Sequence, residues 1–142
     1  MIVKNILANK RGDVVTIAPT ANLTEAAKLL AEQRIGAVVI LGADHRIVGI
    51  LSERDIVRAL AEHGPTALNE QVGQVMTRDV KTCTEDDIIE GLMGRMTTGK
   101  FRHMPVVRQG NLVGIVSIGD VVKNRVEEIE HEAAMLRDYI RQ

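Results

Sequence analysis

Val48-Gly49-Ile50-Leu51-Ser52-Glu53-Arg54-Asp55 returns 65 residues later as Val113-Gly114-Ile115-Val116-Ser117-Ile118-Gly119-Asp120. Upstream the correspondence continues at an offset of 66, with Asp13-Val14-Val15-Thr16 over Asp79-Val80-Lys81-Thr82. The same offset pairs Leu23 with Ile89, Leu30 with Met96, Arg34 with Lys100, and Ile40-Leu41 with Val106-Val107. One residue then drops out between two apolar runs, where a shortened turn would fall. Such self-similarity at a fixed period marks a duplicated structural unit.

Each copy reads β-α-β-β-α. Val14–Ala18 and Val80–Thr84 are short β-rich runs predicted as strands. Asn22 with Glu25, and Asp87 with Glu90, have the spacing of a helix N-cap and its reciprocal acid. Leu23, Ala26, Ala27, Leu30 and Ala31 then recur at helical spacing, as do Ile89, Leu92, Met93 and Met96. Ala37–Leu41 with Ile47–Leu51, and Met104–Val107 with Leu112–Val116, predict two hairpins with polar turns. A second helix starts near Ser52 and stops at Gly64-Pro65, and its counterpart starts near Ser117. Val72-Gly73-Gln74-Val75-Met76 echoes Val3-Lys4-Asn5-Ile6-Leu7, each ahead of one copy. The expected division is therefore 1–70 and 71–142. Each half is too small to bury a full core, which favours face-to-face packing. Beyond Asp120 the chain is predicted helical to its end. Val122, Val126, Ile129, Ala133, Leu136 and Ile140 form an apolar stripe there that suggests a second copy as partner.

Composition removes several function classes. Among 142 residues only Phe101 and Tyr139 are aromatic, which nearly excludes a stacking platform for single-stranded nucleic acid. Eighteen basic against nineteen acidic residues give a net charge of −1, without the electrostatic footprint of a nucleic-acid binder. Cys83 is the single cysteine, so no intramolecular disulfide or thiolate zinc knuckle can form. It aligns with Ile17 and reads as a small core hydrophobe rather than a nucleophile. His45, His63, His103 and His131 show no metal-ligand spacing, the methionines read as core, and Lys10-Arg11 reads as solvated surface. With no membrane-length apolar run and no signal-peptide pattern, a cytoplasmic protein is expected.

The duplicated Gly-h-h-Ser-x-x-Asp ending, with h apolar, resembles the CBS-domain pair, or Bateman module. Arg102-His103-Met104-Pro105-Val106 and Val75-Met76-Thr77 are similar to further runs of that family. The likeness covers residues 2 to about 126. It implies an α+β fold of two β-α-β-β-α repeats packed with pseudo-two-fold symmetry, plus a C-terminal amphipathic helix. It also implies a homodimer that controls an unidentified regulated protein rather than performing chemistry. The implied ligand is an adenine nucleotide, AMP first, with NAD or NADH, ADP, ATP and S-adenosylmethionine as others, so the module would sense energy or redox state.

Ser52-x-x-Asp55 and Ser117-x-x-Asp120 carry two readings. Each is a complete helix-capping box. Each can also bind a nucleotide, the Ser and the free N–H groups of the helix start facing phosphate and the Asp accepting ribose hydroxyls. The resemblance assigns one cleft to Ile50, Ser52, Arg54, Asp55, Met76, Asp79, Val80, Phe101, Arg102, His103 and Met104. It assigns the other to Lys10, Val14, Val15, Ile35, Gly36, Ala37, Ile115, Ser117, Gly119 and Asp120. Arg54, Arg102 and His103 give the first set cation enough for a phosphate, so the Asp55 set is expected to bind a monophosphate more tightly. His103 reads equally as a half-buried structural histidine. A ligand-independent dimeric scaffold is the alternative function. An enzyme has little support, because no activated nucleophile, metal set or acid–base pair stands out.

Overall fold

The computed structural model describes residues 1–10 and 13–141; Arg11, half of the basic pair, lies outside the described residues. Packing groups residues 13–81 in one unit and residues 1–10 with 82–141 in another.

In the first of these units β1 (Thr16–Ile17) runs parallel to β2 (Ala37–Leu41), which pairs antiparallel with β3 (Ile47–Ser52). Helix α2 (Leu23–Gln33) connects β1 to β2, and α3 (Glu53–His63) follows β3. The N-cap of α2 forms as expected, with Asn22 Oδ1 accepting the Glu25 N–H at 2.8 Å. Leu23, Ala26 and Leu30 are buried, whereas Ala31 turns to solvent. The predicted strand over Val14–Ala18 contracts to two residues. Ala18 gives its carbonyl to the Ala21 N–H at 3.2 Å, in a turn around Pro19, and the ladder ends there.

The other unit holds α1 (Val3–Asn9), α5 (Ile89–Gly99), the hairpin β4 (His103–Arg108) and β5 (Asn111–Ser117), and α6 (Ile118–Arg141). The predicted strand over Val80–Thr84 is reduced to one parallel bridge, Cys83 to Val106. Cys83 donates to Pro105 O at 3.0 Å and accepts from Val107 N–H at 2.9 Å. Its neighbour Thr84 instead donates to Asp87 Oδ2 at 2.8 Å. That bond also removes Asp87 from its expected place as a helix cap, and α5 starts after Ile88 with no side-chain cap.

The registers carry the duplication into three dimensions. Ile17 faces Ile40, and Cys83 faces Val106, each partner displaced by the same 66 residues. Val39 opposes Ile50 as Pro105 opposes Ile115, and both hairpins shift register at the equivalent step, Ile40/Leu41 and Val106/Val107. The missing residue falls in the turn, as the change of offset requires.

The two short lead-in helices exchange places. Val3 and Lys4 donate to Asp87 O and Glu85 O, both at 2.9 Å, and Val3 and Ile6 join the core of Ile89, Leu92, Met96, Met104 and Val116. Helix α4 (Val72–Val75) donates from Val72 to Ala21 O at 2.7 Å and from Gly73 to Pro19 O at 2.9 Å. Val72 and Met76 join Leu23, Leu30, Ile40 and Leu51. Each lead-in therefore closes the repeat that it does not precede. No helix among the described residues is long and apolar enough to cross a membrane.

Candidate functional site

Strand β3 delivers Ser52 to the start of α3, where its Oγ accepts the Asp55 N–H at 3.4 Å and its own N–H donates to Asp55 Oδ2 at 2.9 Å. The capping box is thus realised, on a carboxylate only 6% exposed. Two residues that sequence reasoning missed take the other oxygen: Thr77 Oγ1 and Arg58 Nη1 donate to Asp55 Oδ1 at 3.3 and 3.4 Å. Thr77 is carried there by a reciprocal backbone pair with Ile50, at 2.9 and 3.0 Å. Gly49 admits that close approach, since a Cβ there would stand 2.8 Å from Met76 Cγ and 3.0 Å from Thr77 O.

The second box has the same frame and a different partner. Ser117 N–H donates to Asp120 Oδ2 at 2.9 Å, and Asp120 N–H donates to Ser117 Oγ at 3.1 Å. Lys10 Nζ reaches across to Asp120 Oδ2 and to Ile115 O, both at 2.8 Å. Both bonds to the carboxylate, from Ser117 N–H and Lys10 Nζ, fall on Oδ2 and leave Oδ1 outside them. Gly114 does for Leu7 what Gly49 does for Met76, its added Cβ falling 2.6 Å from Leu7 Cδ2. One turn on, Asn124 is buried and donates to Asp120 O at 2.7 Å, while its Oδ1 has no partner among the described residues.

Partial burial pushes the Asp120 carboxyl up, but the Lys10 hydrogen bond, the Ser117 N–H and the Lys10 charge outweigh it and hold Asp120 below its ordinary 3.8. A carboxyl depressed in the folded state stabilises the fold above its unfolded pKa, and that contribution is lost as pH falls through the folded value. Lys10→Met is therefore expected to lower stability at pH 6 and to converge with the parent at the acid end, below the folded Asp120 pKa. Urea unfolding between pH 2 and 7 reads the convergence. A gap that stays constant with pH would rule out this linkage.

The other assigned residues have these places. Arg54 and Gly119 are exposed, and Ile50 and Ile115 are half-buried on their strands. Met76 is committed to the core. Asp79 is exposed and pairs with Lys81 at 3.0 Å, and Val80 is half-buried. Phe101 and His103 are half-buried, Met104 is fully buried, and Arg102 is exposed while its carbonyl accepts the Ile118 N–H at 2.7 Å. Val14, Val15, Ile35 and Gly36 are half-buried and Ala37 is buried. The geometry joins Asp55 to Ser52, Thr77 and Arg58, and Asp120 to Ser117, Ile115 and Lys10. Phe101–Met104 and residues 14, 15 and 35–37 belong to a different unit from the aspartate with which the resemblance groups them.

Beside Asp55 lies an open cavity of about 340 Å³, lined by Arg58, Glu62, His63, Glu70, Gln74 and Val75. His63 Nδ1 contacts Glu70 Oε1 at 2.7 Å on its wall. These residues are scattered over α3, the segment before α4 and the end of α4 without a motif, so no sequence signal marked them. Cys83 is no nucleophile: burial, then the Asp87 charge, push its thiol up to about 12, and it stays protonated at neutral pH. Among the described residues no three His, Cys, Asp or Glu side chains cluster to hold a metal.

Comparison with known proteins places this geometry. The CBS domain model matches residues 3–62 and 72–127. The chain is 37% identical over 111 residues to an uncharacterized 17.7 kDa protein of Acidianus ambivalens, covering 78% of this chain and 66% of that one. It is 34% identical to a mitochondrial CBS-domain-containing protein of Arabidopsis thaliana, covering 82% of this chain and 58% of the relative. The chain thus spans about two thirds or less of these curated relatives. A crystal structure of a CBS-domain-containing protein from Agrobacterium tumefaciens matches with a TM-score of 0.84 at 46% identity, over 87% of this chain and 92% of that one. The CBS domain pair of protein MJ0100, in complex with 5′-methylthioadenosine and S-adenosyl-L-methionine, matches with 0.80 at 28% identity, over 90% and 98%. A CBS domain protein from Pyrobaculum aerophilum complexed with AMP matches with 0.75 at 29% identity, over 84% and 89%.

Proposed function

The chain belongs to the CBS-domain family of non-catalytic regulatory modules, and we propose that it senses an adenosyl ligand, AMP first, and as a homodimer controls a partner protein. The observation that carries this reading is the Asp120 carboxylate. It sits at a helix start, it is held ionised by Lys10 on one oxygen, and its second oxygen lies outside those bonds. A ribose diol presents two hydroxyl donors to such an acceptor, and the helix N-terminus beside it favours phosphate. The AMP and S-adenosylmethionine complexes of the two similar CBS proteins support the ligand class. NAD or NADH, ADP and ATP share the same adenosyl group.

Arg54, Arg102 and His103 are proposed as phosphate partners in the Asp55 set on the strength of the family motif. Guanidinium offers phosphate a planar fork that an ammonium does not, so Arg102→Lys is not a neutral change in this reading. Ligand binding moves the module only by its differential affinity for two conformations, and a regulated partner reads that difference.

Thermal unfolding of nucleotide-stripped protein tests the proposal against AMP, ADP, ATP, NAD, NADH and S-adenosylmethionine. A ligand at 100 times its Kd should add roughly 2.7 kcal/mol, a rise of several degrees in Tm for a chain of this size. No shift with any of them would leave the Ser–Asp pairs as helix caps and the protein as a ligand-independent scaffold.

A further inference from the structure

Along α6 the exposed apolar residues are spaced with more regularity than an amphipathic surface needs. Val122, Val126, Ile129, Ala133, Leu136 and Ile140 follow one another at intervals of four, three, four, three and four. That is an unbroken heptad seam, Val126, Ala133 and Ile140 at the a positions and Val122, Ile129 and Leu136 at d. Among the described residues the seam stays uncovered. Val121 and Asn124 are the buried residues of α6, on a different face, while the five large seam residues are 42% to 73% exposed.

We infer that this seam is the interface of a two-stranded, parallel, in-register coiled coil with a second copy of the same chain. The charges beside the seam select that arrangement. Lys123, Glu130 and Arg137 occupy the e positions, and Arg125 and Glu132 occupy g. In a parallel pair each g residue faces the e residue five positions on in the other helix. Glu132 then faces Arg137, and Arg125 faces Glu130, so both contacts are attractive and the two-fold axis repeats them. Arg125 also pairs with Glu128 of its own helix at 2.7 Å, which makes Glu132–Arg137 the cleaner of the two.

An antiparallel pair over the same length sets like against like: Glu130 on Glu130, Glu132 on Glu132, and Lys123 on Arg137. An antiparallel pair slipped by one heptad toward residue 122 regains opposite charges but leaves Leu136, Tyr139 and Ile140 uncovered. The parallel arrangement alone uses all six seam layers and sets opposite charges beside them. Ile140 at a beside Leu136 at d is the combination that favours two strands, a preference to which Val122 and Ile129 at d do not add. The inference specifies how the proposed homodimer is joined and does not depend on ligand binding.

Disulfide trapping in the full-length chain tests it. Ala133→Cys places a thiol on the seam, and Cys83 in the parent is buried and serves as the control. Under mild oxidation Ala133→Cys should trap a covalent dimer of twice the chain's 15.6 kDa, and the parent should not. Adding Leu136→Asp should cut the trapping rate by at least about tenfold, since it buries a charge in the seam. Arg137→Glu should weaken trapping about tenfold, and Glu132→Arg in the same chain should restore it. Failure of Ala133→Cys to link to itself overturns the inference, as does linkage that Leu136→Asp does not affect. Linkage of Ala133→Cys chains only to Ile129→Cys chains would mean an antiparallel pair and overturn it too. A trapped dimer with no ligand response would uphold the coiled coil and leave the sensing proposal to fail alone.

Discussion

Asp120→Ala is expected to weaken adenosine binding about 100-fold, as read by isothermal titration of the stripped protein. The loss follows from two charge-assisted hydrogen bonds to the ribose diol, each worth about 1.5–3 kcal/mol. A carboxylate that already serves the fold through Oδ2 alone can accept the diol without giving up the Ser117 and Lys10 bonds. Asp55 differs, because Thr77 and Arg58 already hold its Oδ1. Adenosine must displace them, so Asp55→Ala should cost only about tenfold. Adenosine has no phosphate, which separates the ribose contribution from the cations of the Asp55 set. Adding the phosphate, as AMP, should favour the Asp55 set in proportion to its Arg54, Arg102 and His103. Losing the cap and the Lys10 pair in Asp120→Ala should cost about 1–2 kcal/mol, small enough for the variant to stay folded. Equal and negligible effects of both substitutions on adenosine and AMP would end the sensing proposal.

Gly49→Val should destabilise the protein by about 3 kcal/mol, the upper range for overpacking a filled core. The side chain would have to enter where Met76 Cγ and the Thr77 carbonyl stand. Met76 can move, but the carbonyl is bonded to Ile50 N–H at 3.0 Å and cannot retreat without opening that pair. Gly94→Ala is the contrast. A Cβ on Gly94 meets nothing within 4 Å, and replacing a helical glycine there should stabilise by up to about 1 kcal/mol. Urea unfolding with unchanged m-values distinguishes the two. A Gly49→Val chain within 1 kcal/mol of its parent would show that the Met76–Thr77 segment is loosely held.

Gly49 also shows which parts of this molecule were legible in advance. The repeat could be read because its two copies keep one offset, and the hairpins and the helix starts at Asn22, Ser52 and Ser117 because each depends on residues within a few positions of one another. The register pairs Ile17–Ile40 and Cys83–Val106 were not predicted, although the same offset relates one to the other once the fold is known. The strand over Val80–Thr84 misled because β-propensity does not see the Asp87 side chain that takes the Thr84 N–H. Both Ser–Asp boxes could be read as caps, and caps they are. Their further partners could not: Thr77 stands 22 residues from Asp55, and Lys10 stands 110 residues from Asp120. Lys10 entered only through the family resemblance, and Thr77 and Arg58 had no local pattern to announce them.

The exchange of lead-in helices bears on how this chain can be made. Residues 3–9 leave the ribosome well before their partners, since the core that receives Val3 and Ile6 is completed by Val116 and Val121. Helix α1 must therefore wait, apolar face uncovered, until Val116 and Val121 have been made. The stretch 13–81, by contrast, contains every partner in its own core and can fold as it emerges. Folding should thus begin with 13–81, and the segments that flank it in sequence come together afterwards. A cut between the sequence repeats would strand each half without its closing helix.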